Sequence, residues 1–184
     1  MELVDILDNK NRLTGRQKDR HLLGKNEYRK SVHVWIINNK LELLMQQRST
    51  NTKKFPGLWS QTAGGVLAGE DSLYACVRES KEELGIQIKI PEIEFIGSFK
   101  RNLDFVDIYL IQCELNLQNI NINLNEVINV KWMSIECLFD LIIMKQVIPS
   151  IRPSLDYLLN YIQYRNMQHH TFDIPICLLN EKRL

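Results

Sequence analysis

The sequence has little of what would tie it to a charged polymer, an oxidising compartment or a bilayer. Lysine plus arginine (23) against aspartate plus glutamate (22) leaves a net charge of +1. No overall field therefore draws the chain to nucleic acid or to an anionic membrane. The four cysteines, Cys76, Cys113, Cys137 and Cys177, are widely spaced and include no CxxC pair. That argues against a zinc site or a disulfide framework and for small buried hydrophobes in a reducing cytosol. The longest apolar stretch, Leu138 to Met144, is broken by Asp140 and is far too short to span a bilayer. Met1-Glu2-Leu3 opens without the basic and apolar regions of a secretion signal, so a soluble cytoplasmic protein is expected. No internal repeat or low-complexity linker divides the 184 residues, a length suited to a single domain.

The near-zero charge is a cancellation. Between Gln46 and Lys54 stand Arg48, Lys53 and Lys54 with no acid, whereas Glu70, Asp71, Glu79, Glu82 and Glu83 crowd the stretch from Glu70 to Glu83. Around these segments, Leu3 to Leu7 and Leu13 to Arg16 read as a hairpin about the polar turn Asp8 to Arg12. Val32 to Ile37 and Leu41 to Gln46 read as strands joined at Asn38-Asn39-Lys40, and Phe55 to Trp59 as a punctuated loop leading to Gly64-Gly65. Further strands are expected at Ile86 to Ile90, Ile93 to Phe99, Phe105 to Gln112 and Val127 to Met133. Leu73, Cys76, Val77 and Leu84 give Ser72 to Leu84 one helical stripe, with Asp71 or Ser72 to cap its start and Gly85 to end it. Two more helices fit Ile135 to Met144 and Ser154 to Tyr164, the second started by Pro153. The irregular alternation favours an α/β fold with a mixed sheet and helices on its faces.

The chemistry is concentrated between Gly64 and Ile86. On a helix, Glu79, Glu82 and Glu83 lie near one face, a repulsive arrangement unless a cation offsets it. A hard divalent ion such as Mg²⁺ takes oxygen ligands, often a few carboxylates together with substrate phosphates. Arg78 is placed to hold one carboxylate in position. A solvated acidic face would explain a bare Lys-Glu-Glu run, but the pattern is wider. Gly64, five residues, Glu70, seven residues, Arg78-Glu79, Glu82-Glu83 and Gly85 recur by chance on the order of once in a million such chains.

That spacing resembles the Nudix box, and Ile86 fills its last aliphatic position while Ser80 replaces the first. The Ser80 hydroxyl is expected to bond back to the Cys76 carbonyl. The resemblance, which covers about residues 29–163, implies a Nudix-like α/β/α sandwich and metal-dependent hydrolysis of a diphosphate bond. Residues 1–28 then form an N-terminal hairpin extension and 169–184 a C-terminal tail. Carried over by position, Glu82 and Glu83 are implied as metal ligands, joined by the Gly64 carbonyl. Glu79 is implied as a ligand or as the base that activates water, with Glu70 supporting the loop and helix. The implied cofactor is Mg²⁺ or Mn²⁺, and the partner a small-molecule diphosphate, commonly a nucleoside diphosphate derivative, bound by a monomer or homodimer.

The stretch from Val32 to Gly65, with the hairpin before it, is similar to the Nudix branch that contains type I isopentenyl diphosphate isomerase. In that isomerase a cysteine precedes the glycine matching Gly64, and a metal-binding histidine follows it. Ala63 and Gly65 stand there in this chain. Neither can protonate a double bond or ligate through a side chain, so a hydrolase on the same framework is expected. A Nudix domain that only binds its ligand is the other alternative. Arg48, Lys53 and Lys54 lie where the isomerase branch contacts diphosphate, with Arg29 a further candidate. Asp107 is chosen as the carboxylate from outside the box that assists the metals, ahead of Asp104 and Glu114. Trp35 reads as core, Trp59 as loop packing or pocket lining, His33 as a structural strand residue, and His169-His170 have no assigned partner.

Overall fold

The computed structural model describes residues 2–169. Strands β1 (Leu3–Leu7) and β2 (Leu13–Asp19) form the expected antiparallel hairpin. The Asp8 carboxylate organises its turn, accepting from the amides of Lys10 (2.8 Å) and Arg12 (3.0 Å). The main sheet holds β3 (Arg29–Ile37), β4 (Leu43–Arg48), β5 (Trp59–Ser60), β6 (Thr62–Gly65), β7 (Ile93–Arg101), β8 (Asp104–Gln112) and β9 (Val127–Met133). Its order is β5-β4-β3-β8-β7, with β6 paired to β3 and β9 to β4. β3 runs parallel to β8 along its full length, whereas its other neighbours are antiparallel, so the sheet is mixed.

Helix α1 (Ser72–Leu84) covers one face, where Val32, Val34 and Ile36 of β3 meet Ala75, Cys76 and Leu84. Helices α2 (Ile135–Ile143) and α3 (Ile151–His169) cover the other, around Trp35, Ile37, Leu43 and Met45. Period-two alternation in β3 thus feeds two cores, giving an α/β/α sandwich. Trp35 is fully buried, as expected, and its indole N–H donates to Ser154 Oγ at 2.9 Å.

Several elements differ from the sequence reading. Residues 86–90 form no strand. After Gly85, whose left-handed φ of 68° ends α1, Ile86 donates back to the Ser80 carbonyl, and Ile86 and Ile88 bury their side chains without a partner strand. Residues 59–60 and 62–65 are strands because β4 and β3 pair with them, although the sequence reading places only Trp59 of these, in the loop leading to Gly64-Gly65. α3 starts at Ile151, so Pro153 is its third residue, where its missing N–H costs no helical bond. Of the three cysteines among the described residues, only Cys76 is buried, its thiol pushed up to about 12 by burial. Cys113 is half-buried and Cys137 exposed on α2. Cys177, His170 and the rest of the tail lie outside the described residues.

Candidate active site

The site is built where β6 passes under α1. Helix α1 begins at Asp71, whose carboxylate accepts from the Leu73 amide at 2.8 Å. The segment entering it is braced by the hairpin: Ala68 donates to the Leu3 carbonyl (2.9 Å) and Gly69 to Asp5 Oδ2 (2.7 Å). Along α1 the buried positions Ser72, Cys76, Glu79 and Glu83 form one stripe, so the inward face runs from apolar residues straight into two glutamates. Glu82 points outward and is 53 % exposed. The three carboxylates are therefore not a solvated surface patch: two are buried against the sheet.

Gly64 makes room for them. A Cβ at that position would stand 1.8 Å from Glu79 Cδ, so only glycine permits this approach of strand to helix. Glu83, 4 % exposed, accepts from Gln46 Nε2 at 2.9 Å and from the Ala63 amide at 3.3 Å. Gln46 is fixed in turn by the Thr62 hydroxyl, which donates to its Oε1 at 3.2 Å. Burial pushes Glu83 up to about 8, with the charge of Glu79 adding to it. Burial likewise raises Glu79 to about 7, opposed by Arg78 and reinforced by the charges of Glu82 and Glu126.

Arg78 ties the cluster together. Its Nε and Nη2 donate to the two oxygens of Glu70 (2.8 and 2.9 Å), Nη2 also to the Gly65 carbonyl (2.7 Å), and Nη1 to Glu79 Oε1 (2.8 Å) and Glu82 Oε2 (3.0 Å). Glu70 also accepts from the Leu67 amide at 2.9 Å. These bonds hold Glu70 below the usual carboxylate range although burial opposes them. The expected bond from Ser80 Oγ to the Cys76 carbonyl is present at 2.8 Å.

Glu70, Arg78, Glu79, Glu82, Glu83 and Gly64 are thus brought together. Among the described residues no three His, Cys, Asp or Glu side chains are close enough to enclose a metal ion in this conformation. Oxygens of Glu79 and Glu82 turn to the Arg78 guanidinium instead. The residues nonetheless suit a hard divalent cation. Every donor is oxygen, and burial raises both glutamates above the usual carboxylate range, with the charge of Glu79 adding to the shift of Glu83, a cost that a bound cation would offset.

Other sequence candidates fall elsewhere. Asp107 is buried on β8 and paired with Lys30 (3.0 Å). Asp104 is paired with Arg29 (2.7 Å) and with Arg101, and Glu114 accepts from the Asn39 amide at 2.7 Å. The acid outside the box whose charge reaches Glu79 and Glu83 is Glu126, on the loop before β9. Its carbonyl accepts from the Ser49 amide at 2.7 Å, which joins it to the basic loop. At the start of that loop Arg48, the last residue of β4, donates through Nε to the Lys54 carbonyl (3.1 Å), while Lys53 and Lys54 are exposed. Arg29 Nη1 lies 3.9 Å from where a Cβ of Gly65 would stand, at the end of β6. Trp59 is buried in the core beneath Lys131. Sequence reasoning missed Glu126 and Gln46. A glutamine continuing the inward run of an apolar strand was the available signal for Gln46; Glu126 carried none.

An α/β/α sandwich that presses a row of glutamates on one helix against a glycine of the central sheet defines a recognised class of protein. The chain belongs to the Nudix hydrolase family: the family model for the NUDIX domain matches residues 27–154. An uncharacterised Nudix hydrolase of Listeria innocua is 33 % identical over 138 residues, covering 74 % of this chain and 82 % of that protein. An isopentenyl-diphosphate Delta-isomerase of Escherichia coli is 29 % identical over 104 residues, 53 % of this chain and 57 % of its own. Among solved structures, a protein of Deinococcus radiodurans superposes with a TM-score of 0.68 at 22 % identity, covering 79 % of this chain and 91 % of that one. A bifunctional NMN adenylyltransferase/ADP ribose pyrophosphatase of Francisella tularensis, complexed with AMP and a Mn ion, gives 0.58 at 20 % identity, over 72 % and 41 %. At these identities the structural likenesses bear on the fold.

Proposed function

We propose that the chain is a Mg²⁺- or Mn²⁺-dependent hydrolase that cleaves the phosphoanhydride bond of a small-molecule diphosphate, a nucleoside diphosphate derivative, by attack of water at phosphorus. The observation that carries this reading is the burial of Glu79 and Glu83 side by side above Gly64. Burying two carboxylates is costly unless the site has a use for them. When bound, a divalent cation supplies charge neutralisation for the phosphate oxygens and a more acidic water.

This chain's residues do the rest. Glu82, Glu83 and the Gly64 carbonyl would hold the cation, and Glu79 would either join them or take the proton of the attacking water. Arg78 positions Glu79 and Glu82 and fixes the Gly65 carbonyl, so that α1 and β6 keep their spacing. Gln46 orients Glu83. Arg48 at the end of β4, Lys53 on the loop tied to Glu126, and Arg29 of β3, which approaches Gly65, would bind the anionic part of the substrate. Asp107, paired with Lys30 at 3.0 Å, would act on the substrate through that lysine.

The test is a panel of nucleoside triphosphates, ADP-ribose, dinucleoside polyphosphates, nucleotide sugars and isoprenoid diphosphates with Mg²⁺ and product identification, run beside Glu82→Gln. Cleavage by the native chain, abolished in a normally folded Glu82→Gln, is the expected result. Full activity in that variant would remove Glu82 from the metal site.

A further inference from the structure

The hairpin β1-β2 precedes the residues matched by the family model, which begin at residue 27. It nonetheless completes the turn that leads into α1. Four successive amides of that turn each find an acceptor. Leu67 donates to Glu70 Oε2 (2.9 Å), Ala68 to the Leu3 carbonyl (2.9 Å), Gly69 to Asp5 Oδ2 (2.7 Å) and Glu70 to the Leu67 carbonyl (3.0 Å). Two of the four acceptors thus belong to β1. Gly69 has a left-handed φ of 76° with open space where a side chain would stand, so it is the backbone conformation that calls for glycine there. The bond to Asp5 holds the amide of that same residue.

Asp5 is itself fixed. It stands opposite Gln17 in the hairpin, and Gln17 Nε2 donates to its other oxygen at 2.9 Å. Val4, Ile6 and Leu7 around it are buried, and Leu7 exchanges amide-to-carbonyl bonds with Tyr28 (2.7 and 3.1 Å), the residue before β3. From the turn, the constraint passes to the glutamate cluster through one side chain. Glu70 accepts from the Leu67 amide on one side and from Arg78 Nε and Nη2 on the other, and Arg78 Nη1 holds Glu79 and Glu82. The approach of the hairpin to this network also shows at Glu2, whose carboxyl is lowered chiefly by its bond to Arg20 and in part by the charge of Arg78.

We propose that Asp5 is a positioning residue for the glutamate cluster: by holding the Gly69 amide it fixes the turn that presents Glu70 to Arg78, and so sets where Arg78 holds Glu79 and Glu82. The role assigned to Asp5 rests on the proposed function only in taking those glutamates as the reacting centre. Asp5 acts through Gly69, Glu70 and Arg78, not by contact with substrate. A carboxylate makes a short, charge-assisted bond to an amide, stronger than the neutral bond to water that would replace it. Without it the turn is free to shift, and Arg78 loses the fixed partner that sets its fork. Groups that orient metal ligands in this indirect way govern about ten- to a hundredfold in metal affinity or activity. A hairpin that merely covered the sheet would act through its apolar side chains instead, of which Val4 is one.

Three variants test this. Asp5→Ala removes the acceptor, Asp5→Asn keeps an oxygen for the Gly69 amide, and Val4→Ala weakens only the packing of β1. Hydrogen exchange of the Gly69 amide and of the Arg78 Nε–H is followed by NMR in the metal-free chain, and Mn²⁺ binding by calorimetry. In Asp5→Ala both protons should exchange about tenfold faster, Mn²⁺ should bind about tenfold weaker, and kcat should fall about tenfold at unchanged KM on whichever panel compound is cleaved. Asp5→Asn should return to within about threefold of the native chain on each measure. Val4→Ala should lower the melting midpoint more than Asp5→Ala does, yet leave both exchange rates and the Mn²⁺ affinity near native. An unchanged Arg78 Nε–H in Asp5→Ala would overturn the proposal. So would Val4→Ala reproducing the Asp5→Ala losses, or Asp5→Asn failing to restore them. A native chain that binds no Mn²⁺ or cleaves nothing on the panel would refute the proposed function instead, and the two exchange rates would still decide the role of Asp5.

Discussion

Gly64 and Glu79 are packed so closely that the first carbon of any side chain on Gly64 would fall 1.8 Å from the Glu79 carboxyl carbon. The obstacle would be the far end of a flexible side chain, not backbone. Gly64→Ala is therefore expected to move the carboxylate rather than break the fold. Turnover should fall by about a hundredfold, the scale of an ångström of misplacement, with little change in the melting curve. Parallel activity and circular dichroism measurements check it.

Arg78 bonds three carboxylates and one carbonyl through a fixed planar fork. Lysine keeps the charge but cannot reach four acceptors at these angles. Arg78→Lys should lower the free energy of unfolding by about 2 kcal/mol, the scale of lost charge-assisted bonds discounted for partial exposure. Urea denaturation measures it, and an unchanged midpoint would show that the network carries no stability.

His33 gives the fold an acid limb. Burial, with some help from Arg101, lowers its pKa from an ordinary 6.5 to about 3, so the folded chain keeps the ring neutral while the unfolded chain protonates it. Its contribution is fully present above pH 6.5 and is lost as pH falls from there towards 3. The slope from this one group is at most about 1.4 kcal/mol per pH unit. His33→Phe should flatten that part of the stability profile, read from urea midpoints at several pH values.

What was legible in the sequence was what local chemistry decides. Asp71, the stripe through Cys76, and Gly85 define α1 without reference to the rest of the chain, and the resemblance read from the box places the glutamates on it. The Ser80 bond was legible because it closes within one turn. β6 was not: beyond Thr62, the run Ala63-Gly64-Gly65 disfavours a strand, and the segment is extended because β3 pairs with it. The segment from Ile86 to Ile90 misled in the opposite direction, alternating like a strand with no edge to join. Nor did any local pattern mark Glu126, which reaches the glutamates because Ser49, at the end of β4, holds its carbonyl. The burial of Glu79 and Glu83 was equally hidden, since on the helix alone all three glutamates look alike.

The central claim is cation-dependent attack of water at phosphorus. The most direct measurement is hydrolysis in ¹⁸O-enriched water, with ADP-ribose as first substrate and the diphosphate panel behind it, with Mg²⁺ and with chelator, followed by mass analysis of the products. One ¹⁸O atom in a phosphate product per bond cleaved, with no cleavage in chelator, is the predicted result. Cleavage that persists in chelator, label outside the phosphate products, or no cleavage of any diphosphate with Mg²⁺ would contradict it.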